Sequence, residues 1–294
     1  MTERKVVKIQ KGQKATDGAG VRLTRLFGHE NANLFDPFLM MDHFGSENPN
    51  DYIAGFPFHP HRGIETVTYM LSGKMEHSDS LGNQGTIGSG DIQWMTAGSG
   101  IIHQEMPKLE GGKLSGFQLW LNLPSAHKMM SPRYQDIPAS NIPEIKSPDA
   151  HIRILAGEVN GRKGPVEDTI IKPIYLDVSL SPNAHWEFQS NKDFTMFLYV
   201  FQGELAIGKS MQEKVTQGNL ALLSNGDTLN VSASAEGARF VLISGKPIRE
   251  PIAWNGPIVM NTKEQLYVAF DELERGTFIK SEEEQQHLPS QPQP

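Results

Sequence analysis

Residues 69–95, YMLSGKMEHSDSLGNQGTIGSGDIQWM, have a counterpart in residues 199–231, YVFQGELAIGKSMQEKVTQGNLALLSNGDTLNV. Each opens on an aromatic-apolar run, breaks at a Gly turn and resumes as a second strand. Each then reaches a Gly-Asp or Gly-Asn turn before another apolar run. A period of about 130 residues is that of duplicated domains, not of a solenoid. Outward from these stretches, runs such as Val21–Leu26, Ser115–Leu121, Ile174–Leu180, Thr195–Phe201, Glu204–Ile207 and Arg239–Ser244 are short and rich in β-branched or aromatic residues. Gly, Asn, Asp or Pro punctuates them, among others at Ser72-Gly73 and Gln202-Gly203. Many short strands at this spacing predict an all-β sandwich or barrel architecture. Four prolines between Pro132 and Pro148 place the linker there.

One segment reads as a helix. Asn261 or Thr262 caps its start, Leu266, Phe270 and Leu273 share a face, and Gly276 suits the stop. The tail SEEEQQHLPSQPQP has almost no apolar content and reads as disordered.

Composition narrows the function classes. Cys is absent from the 294 residues, which removes disulfides, thiolate metal sites and a cysteine nucleophile. Acidic residues outnumber basic ones 34 to 27, for a formal charge of −7, which disfavours direct nucleic-acid or anionic-membrane binding. No apolar stretch has the ~18 residues of a spanning helix. The charged N-terminus lacks the apolar core of a signal peptide. These features read together as a soluble, cytoplasmic protein.

The chemistry concentrates in two short patterns, Phe58-His59-Pro60-His61-Arg62-Gly63-Ile64-Glu65 and Gly100-Ile101-Ile102-His103-Gln104-Glu105. Alternate residues of a strand share a face, so His59 pairs with His61 and His103 with Glu105. If the two strands are neighbours, side chains opposite each other lie ~5 Å apart, and four groups converge on one ion. Imidazole suits Zn, Cu, Fe and Ni, and a carboxylate moves the preference toward Fe, Mn or Ni with open positions. Between Leu176 and Ser244 the only His is His185, with Phe194, Met196 and Phe197 in the region where ligands are expected. The second repeat therefore reads as metal-free.

HPHRGIE (59–65) followed by Gly73, with GDIQWMTAGSGIIHQE (90–105), resembles the two motifs of the cupin superfamily. FDPFLMMDHFG (35–45), GFQLWLNLPSAHKMMSPRYQD (116–136) and PIREPIAWNGPIVMNTKEQ (247–265) narrow the resemblance to the pirin family. It implies two antiparallel cupin (jelly-roll) barrels packed together: a metal-binding barrel over 1–135 and a metal-free barrel over 136–260. A C-terminal helix at 261–279 and a tail at 280–294 follow. The iron ligands it implies are His59, His61, His103 and Glu105. Thr66 stands where the general cupin pattern has a Glu ligand, so Glu65 is assigned a supporting or strand-facing place.

Candidate pocket residues are Asp42, His43, Phe44, Arg62, Trp94 and Gln118. Asp42-His43-Phe44 lines a rim or forms a turn. Arg62 holds an anionic group or bridges to a carboxylate such as Glu65. Trp94, Phe117 and Trp120 stack on an aromatic ligand or fill the core. The resemblance implies quercetin 2,3-dioxygenase activity, with Fe2+ the first choice of metal and Mn, Ni, Cu or Zn the alternatives. Its substrates are a small aromatic enol and O2, with Glu105 as the catalytic base. The alternative is a non-enzymatic, metal- or redox-sensing regulator that binds a protein partner.

Overall fold

A strand whose two faces are both covered reads as a continuous apolar run, as Met196–Val200 does, all of it buried. A computed structural model describes residues 1–109 and 112–281. The chain divides into two compact units, one of Met1–Gln13, Asn33–Pro37 and Ser140–Pro247, the other of Lys14–Ala32, Phe38–Ala139 and Ile248–Pro294.

The second unit carries antiparallel strands in the order Ile92–Thr96, Ile64–Ser72, Leu114–Asn122, Phe38–Ser46, Val21–Phe27. The first repeats that order with Asn219–Leu223, Thr195–Ile207, Thr228–Gly245, Ile174–Leu180, Ala150–Ala156. The repeat read from residues 69–95 and 199–231 is therefore a repeat of topology. Tyr69 and Tyr199 sit in matching strands, both buried.

Three expectations shift. The Gln202-Gly203 turn does not end a strand. Thr195–Ile207 runs through it, and Gly203 (φ +74°) lies among register shifts at Val200/Gln202 and Gly203/Leu205. The proline-rich segment is not a bare linker, because Arg133–Ile137 pairs with Ile92–Thr96 and Glu144–Lys146 pairs with Ala150–Ala156. The units are also not contiguous in sequence. Val6–Lys11 joins the edge strand Asn219–Leu223 in the first unit, and the segment from Ile248 onward belongs to the second. Edge pairing satisfies backbone groups without regard to sequence distance, so a chain terminus can complete a remote sheet.

The first unit holds one large buried hydrocarbon cluster. Ile152, Leu176, Phe188, Leu198, Leu229, Val231 and Phe240 belong to one buried cluster there. The second unit holds smaller buried clusters, one of them including Ile64, Met95, Ile101 and Val259.

The helix forms over Lys263–Arg275. Thr262 caps it, Gln265 closes a capping box, and Gly276 ends it in the left-handed region at φ +72°. A helix of this length is marginal alone in water. Ala269 is buried with Ile258, Met260 and Phe278, and Leu266, Phe270 and Leu273 pack on that cluster. The assignment of a disordered tail at 280–294 falls outside the described residues from 282 onward.

Candidate metal centre

The Phe56–His61 strand forms one edge of a four-stranded sheet, next to Ile101–Lys108. An edge place tolerates Pro57 and Pro60, which cannot donate to a ladder. The antiparallel register sets His103 opposite His59 and Ile101 opposite His61. A register shift follows His103, so that Glu105 stands opposite Phe56. Gly63 (φ +78°) then turns the chain, and a Cβ there would clash with the Val259 carbonyl.

Strand alternation and this register bring one ring nitrogen each of His59, His61 and His103 within 4.8 Å of one another. His61 and His103 are buried and His59 is half-buried. Backbone carbonyls assign two tautomers, because a carbonyl only accepts. His59 Nδ1 lies 2.9 Å from Pro57 O, and His61 Nδ1 lies 3.1 Å from Pro257 O. Both Nδ1 atoms therefore carry a hydrogen, and the Nε2 atoms of the two rings face each other. Those two Nε2 atoms are 3.0 Å apart.

Two lone pairs at hydrogen-bond distance repel unless a cation lies between them. A proton on His61 is disfavoured, because burial, with the neighbouring His59 charge, pushes its pKa down to about 3. Burial pushes His103 well down too. The Tyr134 hydroxyl, 3.4 Å from His103 Nδ1, can accept the hydrogen there. Nε2 of His103 is buried without a hydrogen-bond partner. Imidazole lone pairs turned together in this way fit a transition-metal ion, and the carbonyl contacts are the usual outer partners of metal-binding histidines.

Glu105 is not among the three groups within 4.8 Å of one another. Its Oε1 accepts from Thr68 Oγ1 at 2.9 Å, and burial pushes its pKa up. Together with His59 and His61 it lines a cavity of about 650 Å³. Leu23, Met40, Phe44, Phe56, Met75, Trp120 and Trp254 form the apolar walls. Arg25, Asp42 and Asp17 form a charged ledge on the same cavity. Arg25 donates to both Asp42 oxygens at 3.0 and 2.8 Å and to Asp17 at 2.7 Å. Burial still pushes the Asp42 carboxyl above its ordinary value.

Of the candidate pocket residues, Asp42, Phe44 and Gln118 line this cavity, and His43, Arg62 and Trp94 do not. His43 alternates to the other face of its strand, where it packs on Phe117 at 4.7 Å between ring centroids. Trp94 is buried in the strand that pairs with Ile64–Ser72. Arg62 follows a histidine of the triad in sequence, but its side chain leaves the site. Its Nη2 donates to Glu272 Oε2 at 2.6 Å and to Phe278 O at 3.0 Å. The carboxylate it bridges to is on the C-terminal helix and not Glu65, whose Oε1 instead accepts from Thr96 Oγ1 at 2.7 Å.

Thr68, Tyr134, Trp254 and Pro257 are contributors that no local pattern announced. Trp254, Gly256 and Pro257 fall in the range 136–260 read as a metal-free barrel, yet they line the cavity of the unit that holds the histidine triad. Pro257 reaches His61 across 196 residues.

The chain is similar to known proteins over nearly its whole length. Residues 20–121 match the Pirin family and residues 175–279 the Pirin C-terminal cupin domain. A pirin-like protein of Caulobacter vibrioides is 44% identical over 280 residues, covering 95% of this chain and 100% of the relative. A pirin-like protein of Solanum lycopersicum is 42% identical, covering 93% and 92% respectively. The crystal structure of a quercetin 2,3-dioxygenase from Acinetobacter baumannii superposes with a TM-score of 0.87 at 32% identity, covering 94% of this chain and 98% of that one. Two cupin domains, matched separately by family and together by relatives aligned over nearly the whole chain, make this protein a member of the pirin family.

Proposed function

We propose that this chain is an iron-dependent dioxygenase that cleaves a flavonol-like 3-hydroxy enone with O2. His59, His61, His103 and Glu105 would hold Fe2+. The observation that carries the reading is the convergence of three imidazole rings, two of which, His59 and His61, line an aromatic-walled cavity of about 650 Å³. That volume falls within the ordinary range for small-molecule sites. Likeness to the Acinetobacter baumannii quercetin 2,3-dioxygenase supports the substrate class.

Bound iron supplies Lewis acidity toward the enolate oxygen and a redox-active centre for O2. The chain supplies the rest. Trp120, Trp254, Phe44 and Phe56 exclude water and favour a flat apolar ligand. Glu105 accepts the proton of the substrate 3-hydroxyl at Oε2, Oε1 being held by Thr68. Burial raises the basicity of this carboxylate toward the range a general base needs.

The test is anaerobic reconstitution with Fe2+ followed by O2 consumption on quercetin. Wild-type protein should turn over. Glu105→Gln should keep part of its metal, because the amide retains the shape and one oxygen, but lose most turnover. Full activity in a metallated Glu105→Gln sample would remove Glu105 as the base. Metal binding without turnover on a panel of enols would overturn the dioxygenase and favour a metal-sensing regulator that binds a protein partner.

A further inference from the structure

Thr68 lies in the Ile64–Ser72 strand, directly opposite Gln118 on Leu114–Asn122. Its Oγ1 is 2.9 Å from Glu105 Oε1 and 2.6 Å from Gln118 Oε1. A threonine hydroxyl has one hydrogen and cannot donate to both oxygens. The two ends of a glutamine amide have the same shape, so its orientation is assigned from its partners. With the Gln118 amide turned, its NH2 donates to Thr68, and Thr68 donates to Glu105. Every contact is then satisfied, and the three groups form a directed line, Gln118 to Thr68 to Glu105.

Packing alone does not call for this hydroxyl. Valine has nearly the shape of threonine, favours strands equally, and avoids the cost of burying a polar group. Thr68 is 2% exposed, and its hydroxyl serves the carboxylate and the amide. Gln118 borders the same cavity as Glu105, so the line starts and ends at the ligand space. A glutamate side chain has wide rotamer freedom, and fixing one oxygen leaves the other at a defined place.

We propose that Thr68 and Gln118 are positioning residues that hold Glu105 for its two tasks, completing the metal ligand set and accepting the substrate proton. The second task rests on the dioxygenase reading, whereas the first does not. Outer partners of metal ligands commonly change metal affinity or activity 10- to 100-fold when lost.

The experiment compares wild type, Thr68→Val and Thr68→Ser as full-length protein, with Co2+ as the probe. Thr68→Val should melt as wild type does. It should bind Co2+ at least tenfold more weakly in chelator competition, with an altered visible spectrum. With Fe2+ loaded it should lose at least tenfold in kcat on quercetin while KM stays within threefold. Thr68→Ser, which restores the hydroxyl, should recover affinity, spectrum and kcat to within threefold. Wild-type Co2+ affinity and spectrum in Thr68→Val would overturn the proposal. So would a Thr68→Ser protein as impaired as Thr68→Val. If Thr68→Val does not fold, Gln118→Met takes its place with the same expected directions and the same refuting results. Should wild type show no turnover, the dioxygenase reading fails alone, and the Co2+ measurements still decide the role of Thr68.

Discussion

Replacing Phe278 by alanine tests whether the C-terminal segment is part of the unit that holds the histidine triad or only lies upon it. Phe278 follows the helix and is 2% exposed, buried with Ile258, Met260 and Ala269. The Arg62 guanidinium lies 4.2 Å from its ring centroid, and its carbonyl accepts from Arg62 Nη2. A Cβ on Gly100 would come within 2.9 Å of the ring, so the neighbouring backbone is fitted closely to it. Truncating a buried Phe costs about 3–5 kcal/mol, and more if the surroundings cannot relax into the void. The cation–π contact falls within that loss and is not added to it. For a unit of this size, with ~2–4 °C per kcal/mol, the expected fall in melting temperature is about 6–20 °C. The assay is thermal and urea unfolding of metal-free protein, because a bound ion would stabilise by mass action and mask the change. Tyr267→Ala is the control, on the same helix but 74% exposed, with an expected change within about 0.5 kcal/mol. A Phe278→Ala protein destabilised by less than about 1 kcal/mol would refute the burial argument.

Two further outcomes follow from the same geometry. His103→Ala should abolish metal binding in metal analysis of purified protein. His185→Ala should leave it intact, because His185 is exposed and faces Ser232 Oγ at 3.1 Å; equal loss in both would refute the site. Lys128 is 1% exposed, and its Nζ donates to Gly63 O, Asn122 Oδ1 and Val259 O. These carbonyls offset only part of its desolvation, and burial pushes the ammonium from 10.5 down to about 7. Between those values the unfolded chain binds a proton that the folded chain does not. Stability should therefore rise with pH, by up to ~1.4 kcal/mol per unit from this group, and level off above the unfolded pKa. Lys128→Met should remove that component of the urea-midpoint profile, and an unchanged profile would refute it.

The strand patterns and the histidine pairs were legible because their information is local. H-x-H puts two rings on one face whatever the strand pairs with, and the helix carried its own cap, stripe and stop. What was not legible depends on which distant segment completes an edge. The Arg62 partner Glu272 is 210 residues away, and the Pro257 carbonyl that orients His61 is nearly as remote. Val6–Lys11 alternates poorly, with a mostly exposed pattern, so nothing in it shows which sheet it extends. The placement of Glu105 was obscured by one register shift. Alternation puts it on the face of His103, but the pairing with Phe56–His61 slips between them, and its Oε1 meets Thr68.

The duplicated unit shows how narrowly the histidine triad depends on that alternation. The counterpart of the Phe56–His61 strand is His185–Gln189, since each precedes the aromatic strand of its unit. His185–Gln189 pairs with Thr228–Gly245 much as Phe56–His61 pairs with Ile101–Lys108. Phe194, Met196 and Phe197 are therefore not the residues in place of ligands. In His185–Gln189 the histidine is exposed, while Phe188 belongs to the buried core and Trp186 packs against it. Across the ladder Leu229 and Val231 are buried in the same cluster. A strand slipped by one residue exchanges its two faces, so the residue type at each odd or even position determines what reaches the interior. Here hydrocarbon takes that place, and the same strand order yields a packed core. In the other unit, His59, His61 and His103 take it, and Nε2 of His103 is left without a hydrogen-bond partner.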